Sequence, residues 1–250
     1  MKKVTLSMNQ NFGQIFQCPL VNTTVTSFKV PFDPKNKLRV LLISDTHLGA
    51  LIDTNKAIQL FFDELSALIK AEGINMICHL GDLVDGTLNN GSFVLQTVLK
   101  KLSELRIPVY VIGGNHDRDF FNGINWKQEI PNVYPLKENS IVFELPKVGA
   151  KGEPQRLFLA HDLLNNYRVR DQFAFCFVAW IKDACKKFIK PTDWLITGHT
   201  HTSLISFASR LACVGQYSPE INVFGYTLLD FENGDVSIAT KLQPNKIAPK

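Results

Sequence analysis

The stretch LRVLLISDTH, residues 38–47, is an apolar β-type run that stops abruptly at Asp45, and four later stretches repeat its form. INMICHLGDLVD (74–85) breaks at Asp82, IPVYVIGGNHD (107–117) at Asn115, RLFLAHD (156–162) at His161, and DWLITGHTH (193–201) at His199. Each run reads as a strand, and each break supplies Asp, Asn or His. Between the first two, DTNKAIQLFFDELSALIKAEG (53–73) predicts an amphipathic helix. Asp53 or Thr54 serves as N-cap, Ile58, Phe61, Leu65, Leu68 and Ile69 form the apolar face, and Gly73 terminates it. SFVLQTVLKKLSELRIP (92–108) predicts a second helix, capped by Ser92, with Val94, Leu95, Val98, Leu99 and Leu102 as its stripe. Strand, helix, strand, helix, strand implies right-handed crossovers and a largely parallel sheet covered by helices.

Outward from this core the pattern turns antiparallel. SIVFELPKVGAKGEPQRLFLAHD (140–162) reads as two strands joined by a Gly/Pro loop, and FGYTLLDFENGDVSIATKL (224–242) as a hairpin turning at Asn233-Gly234. With the opening strands KVTLS (3–7) and VTSFKVPF (25–32), there is enough β-structure for a second sheet. No linker-like, low-complexity or repeated segment divides the chain, so residues 1–250 are expected to form a single domain, with a helical insert at about 165–190.

At 250 residues with 45% hydrophobic side chains, the chain can bury a sizeable core, which excludes a disordered protein. The net charge of +4 is spread rather than gathered into a basic run, so there is no strong nucleic-acid signal, while an anionic substrate is easily accommodated. Cys18, Cys78, Cys176, Cys185 and Cys213 make no CxxC pair, which points to a reducing compartment. MKKVTLSMNQ lacks the apolar core of a signal peptide, and no stretch has the length of a transmembrane segment, so the expected location is cytoplasmic. The glycosylation patterns at Asn22 and Asn90 are read as chance.

Ligands of open α/β sheets gather beyond the carboxyl ends of strands, where all five breaks fall. The inventory there is Asp45, His47, Asp82, Asp85, Asn115, His116, His161, His199 and His201. Carboxylates, an amide oxygen and imidazoles suit Mn²⁺, Fe or Zn²⁺ rather than thiophilic metals. One ion could not use so many donors. Two ions about 3.5–4 Å apart, sharing a carboxylate, could.

DTH, GDLVD, GNHD, a lone His after a strand, and GHTH, in this order, resemble the calcineurin-like metallophosphoesterase superfamily. The resemblance implies a four-layer α/β/β/α sandwich of two mixed β-sheets flanked by helices. It also implies that Asp45, His47 and His201 hold one metal, that Asn115, His161 and His199 hold the other, and that Asp82 bridges them. Mn²⁺ is the first choice of cation, with Fe or Zn²⁺ as alternatives. The implied activity is that of a phosphatase or phosphodiesterase, in which a metal-bridging hydroxide attacks phosphorus after the ions neutralise the phosphoryl oxygens. His116 is then the general acid for the leaving group, with Asp85 hydrogen-bonding it.

Other polar residues have blander readings. His79, inside the strand MICHL, is read as a core histidine. Asp85 could serve only as a loop acid, and Asp117 and Asp162 are expected to tie down loops or support the ligands. Arg118 reads equally as a phosphate contact or as a solvated side chain.

QFAFCFVAWIKDACKKFIK (172–190) is apolar nearly all round. Core packing, a lid over the metals, or a site for an apolar ligand or partner would each explain it. Its placement is similar to the helical lid of the UDP-diacylglucosamine pyrophosphatases, and HDLLNNYRVRDQF (161–173) loosely echoes them. Those enzymes carry Arg where this chain has His116, and their lid is longer. Gly86 stands where protein serine/threonine phosphatases place a phosphate-binding Arg, which argues against a phosphoprotein substrate. A small, nucleotide-like phosphomonoester or phosphodiester is the favoured substrate. A pyrophosphatase acting on a nucleotide-linked lipid is the alternative, and a non-enzymatic interaction scaffold is the rival from another class.

Overall fold

The structure is a computed structural model that describes residues 2–5, 24–29, 37–123, 130–136, 140–144, 156–161, 182, 189–232 and 235–243. In chain order the elements are β1 (Lys2–Thr5), β2 (Thr24–Lys29), β3 (Leu38–Ile43), α1 (Thr54–Glu72), β4 (Met76–His79), α2 (Gly91–Ser103), β5 (Val109–Ile112), β6 (Val133–Leu136), β7 (Ser140–Glu144) and β8 (Arg156–Ala160). They continue as β9 (Trp194–Thr197), β10 (Leu204–Ser206), β11 (Leu211–Cys213), β12 (Tyr217–Ser218), β13 (Val223–Glu232) and β14 (Asp235–Gln243). Short 3-10 turns cover Phe120–Gly123 and Pro219–Ile221.

Two mixed sheets result. One runs β12-β13-β3-β4-β5-β6 with β14 added to β13, and the other runs β1-β2-β7-β8-β9-β11-β10. From β3 to β6 the pairing is parallel, α1 and α2 making the first two crossovers, while β13 returns antiparallel beside β3. β7 and β8 pair antiparallel, as the sequence led one to expect. β13 and β14 do too, with Glu232 opposite Asp235. Their turn residues Asn233 and Gly234, and the loop joining β7 to β8, lie outside the described residues.

Alternation along the strands explains the layering. Leu41 and Ile43 of β3, Ile77 of β4, and Val109 and Val111 of β5 face α1 and α2 in one core. Val40, Leu42, Met76, Cys78, Tyr110 and Ile112 face the second sheet, meeting Phe143, Leu157, Leu159, Trp194 and Ile196. A strand buried on both faces has no polar side to show, which is why these runs read as unbroken apolar stretches. The helical insert expected at about 165–190, with its apolar 172–190 segment, lies outside the described residues apart from Lys182, Ile189 and Lys190.

Asp53 caps α1 by accepting from the backbone N–H groups of Asn55 and Lys56, and Gly73 ends the helix in a left-handed conformation (φ 65°). The face predicted from spacing is the buried one: Ile58, Phe61, Leu65 and Leu68 are buried and Ile69 packs against them. α2 departs from expectation at its start. Asn90 is the capping residue, without a side-chain cap, and Ser92 lies inside the helix, its hydroxyl donating to the Phe120 carbonyl at 3.1 Å. Packing explains the shift, because Gly91 lies so close under the Phe120 ring that a Cβ there would overlap it. Among the described residues no helix is long and apolar enough to cross a membrane.

Candidate metal centre

The loops leaving the carboxyl ends of β3, β4, β5, β8 and β9 place all the predicted donors in one cluster. Main-chain bonds hold these loops to one another: Asp45 N–H donates to Gly81 O (3.1 Å), His47 N–H to Asp82 O (2.9 Å), and Gly198 N–H to Ala160 O (3.0 Å). The turns are sharp. Asp45 (φ 56°), His47 (49°), Asp82 (55°), His199 (65°) and His201 (55°) all have left-handed backbones. Such a conformation costs a non-glycine residue about 1–2 kcal/mol, and Asp and His tolerate it better than bulky or branched residues do. Concentrated strain of this kind is a mark of a functional site. Gly81 (φ 92°) is required for a further reason: a Cβ there would lie 2.6 Å from the His161 ring.

Three groups of donor atoms are near enough to hold an ion: Asp45, His47 and His201; His47, Asp82 and His116; and Asp82, His161 and His199. Asp82 joins them. Its Oδ1 accepts the His116 backbone N–H at 2.8 Å, which leaves Oδ2 facing His161 Nε2 at 3.2 Å on one side and His47 Nε2 at 3.7 Å on the other. Asp45 is set likewise, with Oδ2 accepting the His199 N–H at 2.9 Å and Oδ1 facing His201 Nε2 at 3.4 Å. Asn115 Oδ1 lies 2.9 Å from His161 Nε2. His161 Nδ1 is 2.7 Å from the Leu80 carbonyl; a ring that donates there has its Nε2 turned toward Asp82 and Asn115.

The electrostatics of the two carboxylates and of His47 match a cation site. Burial alone would raise the Asp82 carboxyl, but the hydrogen bond and charge of His161 and the charge of His47 hold it far below the usual carboxylate range. Asp45 is also lowered, the effects of His201 and His161 outweighing burial. Burial lowers His47, which favours the neutral imidazole a metal needs. Burial opposes charge on His161 too, yet Asp82 and Asp45 raise it to about 9. Among the described residues the buried His47 Nε2 has no hydrogen-bond partner. Orphaned nitrogen and carboxylate oxygens converging at 3.2–3.7 Å fit a divalent ion between them.

Around this cluster the other predicted residues fall into place unevenly. His116 stands at the rim with its side chain 43% exposed, its ring 4.6 Å from that of His47. The hydrogen bond expected between the His116 imidazole and Asp85 is not formed. Asp85 Oδ2 lies between two imidazoles, 3.8 Å from His116 Nδ1 and 3.6 Å from His47 Nδ1, because Thr87 claims Oδ1 through both its N–H (2.9 Å) and its hydroxyl (2.5 Å). Asp117 is buried and ties two motif loops together, accepting from Leu83 N–H (2.6 Å) and Gly114 N–H (2.7 Å); burial raises its carboxyl to about 6. Asp162 lies outside the described residues. His79 is buried below the site with Nε2 2.6 Å from the Thr46 hydroxyl, and burial lowers it to about 3, so it is a neutral core residue. A Cβ on Gly86 would come 2.9 Å from the His116 carbonyl, so the glycine lets His116 sit close to the GDLVD loop.

Sequence reading missed Thr87 and Glu220. The Glu220 carboxylate accepts from the backbone N–H groups of Gly49 (2.6 Å), Leu51 (2.9 Å) and Ile52 (3.2 Å) in the loop following His47. SPEIN (218–222) carries no local signal beyond that of a turn.

Two curated relatives are named DNA double-strand break repair protein Mre11. That of Saccharolobus solfataricus is 35% identical over 86 residues, covering 32% of this chain and 23% of the relative. That of Sulfurisphaera tokodaii is 39% identical over 90 residues, covering 33% and 23%. The match thus spans less than a quarter of the length of either relative. Among solved structures, a dimetal phosphatase from Danio rerio is similar at 11% identity and a TM-score of 0.44, covering 83% of this chain and 99% of that one. The nuclease MPE of Pseudomonas putida is similar at 14% identity and a TM-score of 0.38, covering 80% and 87%. Residues 38–236 match the model of the calcineurin-like phosphoesterases, from the first strand of the parallel run through every motif loop and into β14. With most of its length matched, the chain belongs to the calcineurin-like phosphoesterase family.

Proposed function

We propose that the protein hydrolyses a phosphomonoester or phosphodiester bond of a small, nucleotide-like molecule. The observation that carries the reading is the position of Asp82 Oδ2 between His47 Nε2 (3.7 Å) and His161 Nε2 (3.2 Å), which makes one carboxylate common to two donor groups. Asp45, His47 and His201 would hold one ion and Asn115, His161 and His199 the other, with Mn²⁺ the first choice and Fe or Zn²⁺ as alternatives. Bound divalent ions supply positive charge for the phosphoryl oxygens and lower the pKa of water. His116, exposed at the rim, donates a proton from its imidazole to the leaving oxygen. Asp85, with Oδ2 3.8 Å from His116 Nδ1 and 3.6 Å from His47 Nδ1, faces the acid with its carboxylate. The single-domain organisation and the cytoplasmic location belong to the same proposal.

A substrate panel tests it. Protein loaded separately with Mn²⁺, Fe and Zn²⁺ is assayed against nitrophenyl phosphate, bis-nitrophenyl phosphate, cyclic nucleotides, a nucleotide-linked lipid and a DNA oligonucleotide. The DNA arm is included because the curated relatives are named for DNA repair. Fastest turnover is expected on a nucleotide-like small ester with Mn²⁺. Preference for the lipid pyrophosphate would move the reading to that alternative, and preference for DNA would make the protein a nuclease. No bound ion and no turnover would leave an interaction scaffold.

A further inference from the structure

We infer that Glu220 is a positioning residue for the metal loop: its carboxylate gathers the backbone N–H groups of the turn after His47 and so fixes where that imidazole points, an inference that rests on the metal-holding role proposed for His47. Between His47 and the α1 cap Asp53 the chain has no regular structure, so its amide hydrogens need partners from elsewhere. Leu48 N–H finds Leu83 O at 3.1 Å and Ala50 N–H closes a turn on His47 O at 3.1 Å. The amides of Gly49, Leu51 and Ile52 go to one side chain, Glu220, at 2.6, 2.9 and 3.2 Å. Bonds to a carboxylate are shorter and stronger than neutral ones, so this one group sets the path of the loop.

The path matters to His47 because the ligand opens the turn that Glu220 closes. His47 has a left-handed backbone (φ 49°), a conformation that relaxes unless its surroundings hold it. Gly49, also at positive φ (84°), is wedged: a Cβ there would lie 3.1 Å from both Leu88 Cδ1 and Thr54 Oγ1. The element carrying Glu220 is itself anchored to the site. Tyr217 N–H donates to Ser44 O at 2.9 Å, beside Asp45, and Ser44 forms a parallel bridge with Gln216. A frame therefore runs from the strand end bearing Asp45, through β12 and the 3-10 turn, to the loop after His47.

The test uses the full chain and Glu220→Gln, which keeps shape but turns one acceptor oxygen into a donor facing a donor. In metal-free protein the imidazole ¹H–¹⁵N signals of His47 are expected to move while those of His161 stay. In Mn²⁺ titrations the ion at Asp45, His47 and His201 is expected to bind about 10-fold more weakly, as loss of a group that orients a ligand typically does. An unmoved His47 signal, or unchanged Mn²⁺ affinity in a protein whose wild type binds the metal, overturns the inference. If Glu220→Gln does not fold, amide exchange in the unaltered protein decides: slow exchange at Gly49, Leu51 and Ile52 supports the latch, and open-loop rates reject it. A wild type that binds no divalent ion would fell the proposed function, while the His47 signal would still judge Glu220.

Discussion

The Asp82 carboxylate accepts the backbone N–H of His116 at 2.8 Å, so the side chain shared between two donor groups also fixes the main chain of the rim imidazole. Changes at Asp82 and at His116 should therefore be separable, because the link runs through the peptide and not through the ring.

For Asp82→Asn, the amide oxygen can keep the bond from His116 N–H, while the NH₂ group turns toward His161 and His47. Anionic donation to both groups is lost, and the fold keeps its internal bond. Both ions should be bound at least about 100-fold more weakly, beyond the range seen for supporting residues. Metal content after dialysis and circular dichroism check this; two retained ions per chain would refute the shared role of Asp82.

The left-handed backbone at His201 (φ 55°) gives a second prediction. His201→Ala and His201→Gly both remove the donor, but only glycine relieves the backbone. Relief of about 1–2 kcal/mol, less about 0.5–1 kcal/mol for the extra freedom of glycine in the unfolded chain, leaves Gly the more stable by roughly 0.5–1 kcal/mol. Urea unfolding in chelator measures the difference. Equal stability would mean that the site stores no strain at this position.

At the opposite ends of the same strands, Arg39 forks onto Asp230, with Nε to Oδ1 at 2.6 Å and Nη2 to Oδ2 at 2.8 Å, while Lys241 bonds Glu72 at 2.6 Å. The Arg39 bond holds Asp230, and the Lys241 bond holds Glu72, below the ordinary carboxylate pKa. A lowered folded pKa gives stability that is present above the unfolded value, about 4, and that disappears as pH falls through the folded values. Metal-free protein should thus lose stability below about pH 4, and Asp230→Asn should flatten that loss while lowering stability at pH 7 by about 1 kcal/mol, a modest figure because the pair is partly exposed. Unfolding midpoints across pH 3–7 check both halves.

Much of this was legible in the sequence because it is local. Apolar runs buried on both faces announced β3, β4 and β5, and Asp, Asn and His at their ends announced the centre. The cap at Asp53 and the stop at Gly73 follow from chemistry within a turn. What escaped depends on contacts between distant segments. Ser92 looked like a cap until the Phe120 ring, packed on Gly91, drew it into the helix. Asp85 seemed paired with His116 because the family resemblance implies it, yet Thr87, two residues on, takes one oxygen and His47 shares the other. Glu220 reaches its three amides only after the chain has returned to the first sheet through β12.

His116→Ala isolates the acid. The bond to Asp82 comes from the backbone and survives, and the side chain is 43% exposed, so neither the fold nor the two donor sets proposed to hold the ions should suffer. What disappears is a proton donor at the rim, a contribution typically of about 10²–10⁴-fold in rate. The loss should fall on esters whose leaving alkoxide needs that proton, while nitrophenyl esters, which leave as stable anions, should be slowed far less. Parallel kcat measurements on an alkyl and a nitrophenyl ester of the same class, with metal content verified as unchanged, give the ratio. If both slow equally, His116 acts through binding or through a metal ion rather than as the acid, and the donor group that joins it to His47 and Asp82 becomes the reading to pursue.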